Sequence, residues 1–184
     1  IYTPDDEEIR KLFSYIDSTP NFKKYWVPLY LAALGLRRSE IGALTLSDLS
    51  HDNILTINKA KVQDSDNNWV IQQFTKTERS NRKIPIPDEL ATRIREQGCI
   101  YEGFLGKVYD TMRMAEKALV LPHFGVHRSY FASKAHSLGL PDSVILKLGG
   151  WKSDNVMKII YRKALKEDLH RESEKFLSHM TEIS

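Results

Sequence analysis

Residues 148–162 read LGGWKSDNVMKIIYR, and this stretch decides the fold. It places a tyrosine, Tyr161, a short distance after a Gly-Gly-Trp turn that ends at Trp151. Three segments further upstream carry basic residues in a fixed order: Arg37 lies in GLRRSE, Lys76 in FTKTERS and Arg128 in HRSYFAS. Each residue alone is weak evidence, because tyrosine and tryptophan commonly pack in cores and charged residues commonly face solvent. The ordered set of two arginines, a lysine, a tryptophan and a tyrosine is far more specific.

The composition allows one globular domain with a core of its own, since the chain has 184 residues and 41% of them are hydrophobic. No apolar stretch approaches the length that crosses a membrane. A single cysteine, Cys99, cannot form an internal disulfide, which fits a reducing compartment. The net charge of +3 permits binding to nucleic acid but does not require it, because ordinary charged surfaces look similar.

The order of the predicted elements indicates an α+β fold, mainly α-helical, with a small three-stranded antiparallel sheet near residues 53–87. The first helix is expected to take Thr3 as its N-cap and to end at about Ser18. Helices and strands do not alternate, which argues against a parallel sheet. The predicted strands are the β-rich runs 54–57, 69–71 and 82–86, and the other predicted helices are 22–34, 39–44, 88–97, 105–119, 125–138, 141–148, 154–163 and 165–180.

Two arginines and a lysine could form a clamp for a phosphate group. A guanidinium is planar, stays charged and donates two parallel hydrogen bonds to phosphate oxygens. Glu40 follows Arg37 by three residues on the same helical face, where its carboxylate can hold the guanidinium. From this segment alone, a solvated Arg–Glu pair at a helix start remains the alternative. A tyrosine beside such a clamp could attack phosphorus, and nearby cations would favour its phenolate form.

In order and in local context, these segments resemble the catalytic constellation of the tyrosine recombinases, the phage-integrase family. GLRRSE is similar to the family's Gly-Leu-Arg-x-Ser-Glu box, and LGGW is similar to its Leu-Gly-His box, with the tryptophan of the Cre branch. The resemblance implies the fold of the family's catalytic domain and a role for each residue. Arg37, Arg128 and Trp151 would bind the scissile phosphate, and Glu40 would support Arg37. Lys76, with Lys83 as its nearest alternative, would protonate the leaving 5′ oxygen, and Tyr161 would be the nucleophile.

The second arginine box departs from the family's pattern. The family has a histidine three residues before this arginine, and Gly125 stands at that position. His123 and His127 are the two candidates for a catalytic histidine. Leu-Pro-His123 resembles the family's Thr-Pro-His, as if two residues had been inserted before Arg128, whereas His127 would point about 100° away from Arg128 on a regular helix. These observations favour His123, and an ordinary structural or exposed histidine remains the alternative for both.

Residues 1–184 are expected to form a single catalytic domain with a helical tail, 165–184, that can be exchanged between protomers. The family's N-terminal core-binding domain would lie outside this chain. The resemblance implies a site-specific recombinase that integrates or excises a mobile element through a 3′-phosphotyrosyl intermediate, with no metal and no cofactor. It also implies a tetramer on double-stranded DNA, a monomer or weak oligomer without DNA, and a bacterial or phage-encoded protein of the cytoplasm, near the nucleoid. The alternatives are a type IB topoisomerase and a catalytically inactive DNA-binding module of the same fold.

Overall fold

The computed structural model describes residues 4–74, 81–123, 128–151, 173 and 177–181. Lys76, His127 and Tyr161 lie outside the described residues, and only the backbone of Arg128 is described. The α+β, mainly helical fold class is confirmed. The α-helices are Asp6–Ser18 (α1), Trp26–Ala33 (α2), Arg38–Ile41 (α3), Asp88–Gln97 (α4), Gly106–Ala118 (α5), Arg128–Ser137 (α6) and Asp142–Gly149 (α7), and the strands are Ile54–Ile57 (β1), Lys59–Gln63 (β2), Trp69–Gln73 (β3) and Arg82–Pro85 (β4). Among the described helices, none is both long and apolar enough to cross a bilayer.

The strands of the described region pair as two small antiparallel sheets rather than as one sheet of three strands. β1 pairs with β4, and Leu55 lies opposite Ile84. β2 pairs with β3, and Lys61 lies opposite Ile71. β2 is missing from the prediction because its sequence, Lys-Ala-Lys-Val-Gln, lacks the run of β-branched and aromatic side chains that marks the other strands. Its pairing with β3 outweighs this weak local preference.

Helix α1 begins two residues later than the sequence predicts. Its N-cap is Asp5, whose carboxylate accepts a hydrogen bond of 2.8 Å from the backbone N–H of Glu8. The Glu8 carboxylate in turn accepts one of 2.9 Å from the backbone N–H of Asp5, which completes a capping box. The capping-box motif has Glu or Gln three residues after the N-cap, and Glu8 meets this requirement for Asp5. Thr3 itself lies outside the described residues.

Helix α2 lies in the main hydrophobic core. It is buried almost all round, which agrees with its apolar sequence. The predicted helix 22–34 is shorter in the structure, because residues Lys23–Tyr25 form a 3-10 turn before α2. Completely buried side chains from α1, β1 and α4 pack in the same core, among them Leu12, Ile16, Leu55, Leu90 and Ile94.

A second apolar cluster joins α6 and α7 and includes Trp151. Phe131 of α6 stacks on Trp151, with ring centroids 6.1 Å apart. The same Phe131 ring lies against Gly35, where a Cβ atom would come within 2.8 Å of Cδ1. Gly35 also has φ +91°, a conformation that L side chains rarely adopt. Helix α6, whose first residue is Arg128, is therefore packed closely against the turn that precedes Arg37.

Candidate active site

Arg37 lies at the N-cap position of the short helix α3, and its side chain is held at two points. Its Nη1 donates to Glu40 Oε1 at 2.7 Å, and its Nη2 donates to the backbone carbonyl of Gly150 at 2.6 Å. The side chain remains 33% exposed. Because these bonds use two of the five guanidinium N–H donors, a fixed and partly exposed edge of the group remains for an anion.

Glu40, which holds the side chain of Arg37 in place, is completely buried. Its carboxylate accepts hydrogen bonds from the backbone N–H and from Nη1 of Arg37, each 2.7 Å long. It accepts two more, each 2.9 Å long, from Nη1 and Nη2 of Arg82. Four donors match the four lone-pair sites of a carboxylate. This burial rules out the solvated Arg–Glu pair that the sequence of this segment allowed.

Arg82, the first residue of β4, is the site residue that the sequence interpretation missed. Its side chain is almost fully buried, and its Nε donates to the carbonyl of Leu148 at 2.7 Å. Arg82 therefore joins the sheet, the carboxylate of Glu40 and the end of helix α7. A signal for it existed in the sequence, because strand alternation places Arg82 on the same buried side as Ile84 and Ile86, while Lys83 faces outward. A buried arginine requires a partner of opposite charge.

The Gly149-Gly150 pair allows the chain to pass close to both arginines. Gly150 ends α7 in the left-handed conformation, with φ 63° and ψ 38°. A Cβ atom on Gly150 would lie 2.7 Å from Nη1 of Arg82 and 3.3 Å from Nη1 of Arg37. A Cβ atom on Gly149 would lie 2.0 Å from the indole ring of Trp151. The glycines thus place the Gly150 carbonyl on Arg37 and fold Trp151 back onto the α6–α7 cluster.

The charges of this network favour an anion at Arg37. Burial by itself would raise the pKa of Glu40, but the hydrogen bonds and charge of Arg82, together with Arg37, hold that pKa below its ordinary value. The carboxylate therefore stays ionised at neutral pH. Among the described residues of this network, two guanidinium groups and one carboxylate sum to +1, and Arg37 is the partly exposed member. A phosphodiester, which carries one negative charge, is the natural complement.

His123 contacts helix α5. Its Nδ1 lies 2.7 Å from Oε2 of Glu116, a buried carboxylate that the sequence interpretation did not single out. The imidazole is mostly exposed, and the other Glu116 oxygen, Oε1, has no hydrogen-bond partner among the described residues. Within the described ranges, His123 makes no hydrogen bond to Arg37, Glu40 or Trp151. Glu116 thus fixes one ring nitrogen of His123 and leaves Nε2 as its other hydrogen-bonding atom.

The structure brings together some of the residues that the sequence predicts to be catalytic. Arg37 contacts both Glu40 and the Gly150 carbonyl, and Trp151 contacts the helix that Arg128 begins. Trp151 is buried in the α6–α7 cluster, so it has a packing role whether or not its indole also meets a phosphate. The assignments of Lys76, His127 and Tyr161, and of the Arg128 side chain, concern atoms outside the described structure and stay predictions.

Comparison with protein-family models found no match, and comparison with curated protein sequences found none either. Comparison with solved structures did find similar folds. The Tn1549 transposon integrase in complex with transposon right-end DNA matches with a TM-score of 0.72 at 16% identity, over 92% of this chain and 65% of that chain. The XerA recombinase matches with a TM-score of 0.67 at 14% identity, over 94% of this chain and 65% of that chain. The catalytic domain of bacteriophage HP1 integrase matches with a TM-score of 0.58 at 20% identity, over 89% of this chain and 87% of that domain.

This chain spans about two thirds of the length of the transposon integrase and XerA chains, but most of the isolated HP1 catalytic domain. At these identities the likeness concerns the fold. The chain therefore has the catalytic-domain fold of the tyrosine recombinases.

Proposed function

We propose that the protein is a site-specific DNA recombinase that cuts and rejoins DNA strands through Tyr161. The observation that carries the proposal is the Arg37 clamp. A partly exposed guanidinium is fixed by the buried Glu40 and by the Gly150 carbonyl. The net positive charge of the Arg37 clamp suits a phosphodiester. The clamp occurs in a fold shared with integrases and recombinases.

In the proposed reaction the Tyr161 oxygen attacks a backbone phosphorus. The new P–O bond forms a 3′-phosphotyrosyl link, and the bond from phosphorus to the 5′ oxygen breaks. The phenol proton passes to a base, for which His123 and His127 are the candidates, and Lys76 gives a proton to the leaving 5′ oxygen. The 5′ hydroxyl of a partner strand then attacks the phosphotyrosine and releases Tyr161. Each link replaces one phosphodiester by another, so no external energy source enters the balance.

The clamp would act mainly by electrostatic stabilisation. Charge on the non-bridging oxygens increases as the nucleophile approaches phosphorus, and fixed donors need no reorganisation at that moment. Arg37 is such a donor, because the buried Glu40 carboxylate holds it and Arg82 in turn holds Glu40. Arg128 and Trp151 would add further donors. Glu40 is a positioning residue in this scheme, since its oxygens are occupied by arginine and backbone donors.

Double-stranded DNA is the proposed partner, and integration or excision of a mobile element is the proposed role. Among the structures with this fold, the Tn1549 integrase was solved with transposon end DNA. We further propose that four copies assemble on DNA and that the tail, 165–184, links neighbouring copies. Because this chain spans about two thirds of that integrase, we propose the complete reaction for a protein that also carries an N-terminal core-binding domain.

In the test, the protein is mixed with two differently labelled DNA duplexes, each of which carries the recombination site. Excess chelator is present. Recombinant products that join the two labels are the expected result. Relaxation of supercoiled DNA without joined products would instead indicate a topoisomerase. DNA binding with neither product would indicate an inactive binding module. Arg37→Lys, which keeps the charge but loses the two-pronged contact, should reduce joining strongly while most DNA binding remains.

A further inference from the structure

A groove begins at the residue that follows the Arg37 clamp. It lies between the β2–β3 hairpin and the segment before α5, and it has a volume of about 490 Å³. Its lining includes Arg38, Ser39, Lys61, Gln63, Trp69 and Phe104. The Arg37 network uses none of these side chains.

The groove is positively charged. Arg38 and Lys61 line it, and none of its described lining residues is acidic. Within the described part of the chain, neither cation lies within ion-pair distance of a carboxylate. Arg37, Arg82 and Lys59 are by contrast held by carboxylates, so Arg38 and Lys61 are the lining cations that can meet an anion. An anionic occupant would supply the missing charge.

The groove also exposes two large aromatic side chains. Trp69 is 51% exposed and Phe104 is 64% exposed, whereas the other two tryptophans, Trp26 and Trp151, are buried. Cations beside exposed aromatic rings are the combination that binds single-stranded nucleic acid, because the rings stack on bases while the cations meet the phosphates. A duplex offers its bases only at groove edges, so an exposed indole has little to stack on there.

The proposed reaction itself creates unpaired bases beside the clamp. After cleavage, the strand that ends in the 5′ hydroxyl is still paired with the uncut strand. It must separate from that strand before its hydroxyl can join a second duplex. From the charge and the aromatic rings we infer that this groove holds the unpaired DNA strand next to the cleaved phosphate. Arg38 and Lys61 bind its phosphates, and Trp69 stacks on a base. The inference rests on the proposed function.

The test uses Trp69 as its own probe. Three DNA molecules of equal duplex sequence are compared: one blunt, one with a single-stranded oligothymidylate overhang, and one with an abasic overhang that keeps the phosphates. Stacking should quench tryptophan fluorescence with the thymidylate overhang only, because Trp26 and Trp151 are buried. Trp69→Phe should remove the quenching signal. Binding of the overhang DNA, measured by anisotropy, should weaken about tenfold in Trp69→Ala.

The double variant Arg38→Ala/Lys61→Ala should weaken binding of both overhang DNAs more than binding of the blunt duplex. The matched control is Arg113→Ala/Lys117→Ala, which removes two exposed cations from α5 and should change binding of the three DNAs equally. Thermal unfolding checks that every variant is folded. Equal quenching by the three DNA molecules, or a groove variant with unchanged preference for the overhang, would overturn the inference.

Failure of the groove assignment can be distinguished from failure of the proposed function, because covalent DNA adducts are measured on the same samples. Loss of base-dependent quenching with adducts intact overturns the groove assignment alone. Base-dependent quenching without adducts supports the groove and counts against the reaction. Self-association that is abolished by Trp69→Ala, without base-dependent quenching, would assign the groove to a second protein chain and overturn the inference.

Discussion

Arg82 donates two parallel hydrogen bonds of 2.9 Å to Glu40, and both side chains are almost completely removed from solvent. The same carboxylate accepts from Arg37, the guanidinium that faces outward. The position of the exposed arginine therefore depends on a pair inside the protein. Because Arg82 also donates to Leu148, the pair holds the end of α7 in place as well.

Arg82→Met should destabilise the protein by about 3–5 kcal/mol, because it removes one partner of a buried ion pair. The double variant Arg82→Met/Glu40→Leu should recover much of this loss, since no buried charge is left without its partner. Urea unfolding at neutral pH measures both values. Arg113→Met on the exposed face of α5 is the control and should stay within about 0.5 kcal/mol of the wild type. Losses that simply add in the double variant would show that the two residues do not act as a pair.

Glu40 should make the stability depend on pH in the acidic range. Burial opposes its charge, but Arg82 and Arg37 outweigh burial, so the pKa of Glu40 lies below its ordinary value of 4.5. A lowered pKa gives stability that is fully present above the unfolded value and is lost as the pH falls through the folded value. The free energy of unfolding of the wild type should therefore exceed that of Glu40→Gln by a constant amount above about pH 6. The gap should shrink below pH 4.5, and a gap independent of pH would contradict this assignment.

Gly35→Ala should destabilise the protein more than Gly98→Ala. Both glycines have positive φ, so alanine costs about 1–2 kcal/mol of backbone strain at each. Only at Gly35 does the new methyl meet another side chain, the Phe131 ring at 2.8 Å, whereas nothing lies within 4 Å at Gly98. Overpacking should add about 1–3 kcal/mol at Gly35. Thermal unfolding compares the two variants, and equal losses would mean that α6 can move away from the turn at no cost.

His123→Ala should cost about 1–3 kcal/mol, because it leaves the buried Glu116 carboxylate without its hydrogen bond to the imidazole. His51, whose side chain is exposed, provides the control, and His51→Ala should cost no more than about 0.5 kcal/mol. Unfolding in urea at neutral pH measures both. Identical, near-zero effects would indicate that Glu116 finds another donor and that His123 is not tied to α5.

Local features of the chain were predictable where short-range chemistry decides them. Helix α4 has the predicted bounds, 88–97, because acidic residues begin it and Gly98 ends it in the left-handed conformation. The Arg37–Glu40 contact was predictable because helix geometry brings together residues three apart.

Partners that lie outside a residue's own helix or strand were not predictable in the same way. Arg82 lies in a different element from Glu40, and nothing in either local pattern names the other as its partner. In the sequence, Glu116 is an ordinary charged residue of an amphipathic helix, and its contact with His123 is visible only in the structure. β2 forms because β3 pairs with it, against the weak preference of its own residues. In each case the missing information is a contact with a residue outside the local element.

The most direct test of DNA cleavage by Tyr161 is to trap DNA on this residue. The protein, alone and joined to the proposed core-binding domain, is mixed with fragments of its source genome and denatured with detergent, and the DNA that remains linked to protein is sequenced. We expect linked DNA with a free 5′ hydroxyl, at a defined site, that is lost in Tyr161→Phe while DNA binding is kept. Linked DNA that persists in Tyr161→Phe, or measurable binding with no linked DNA at all, would contradict cleavage by Tyr161.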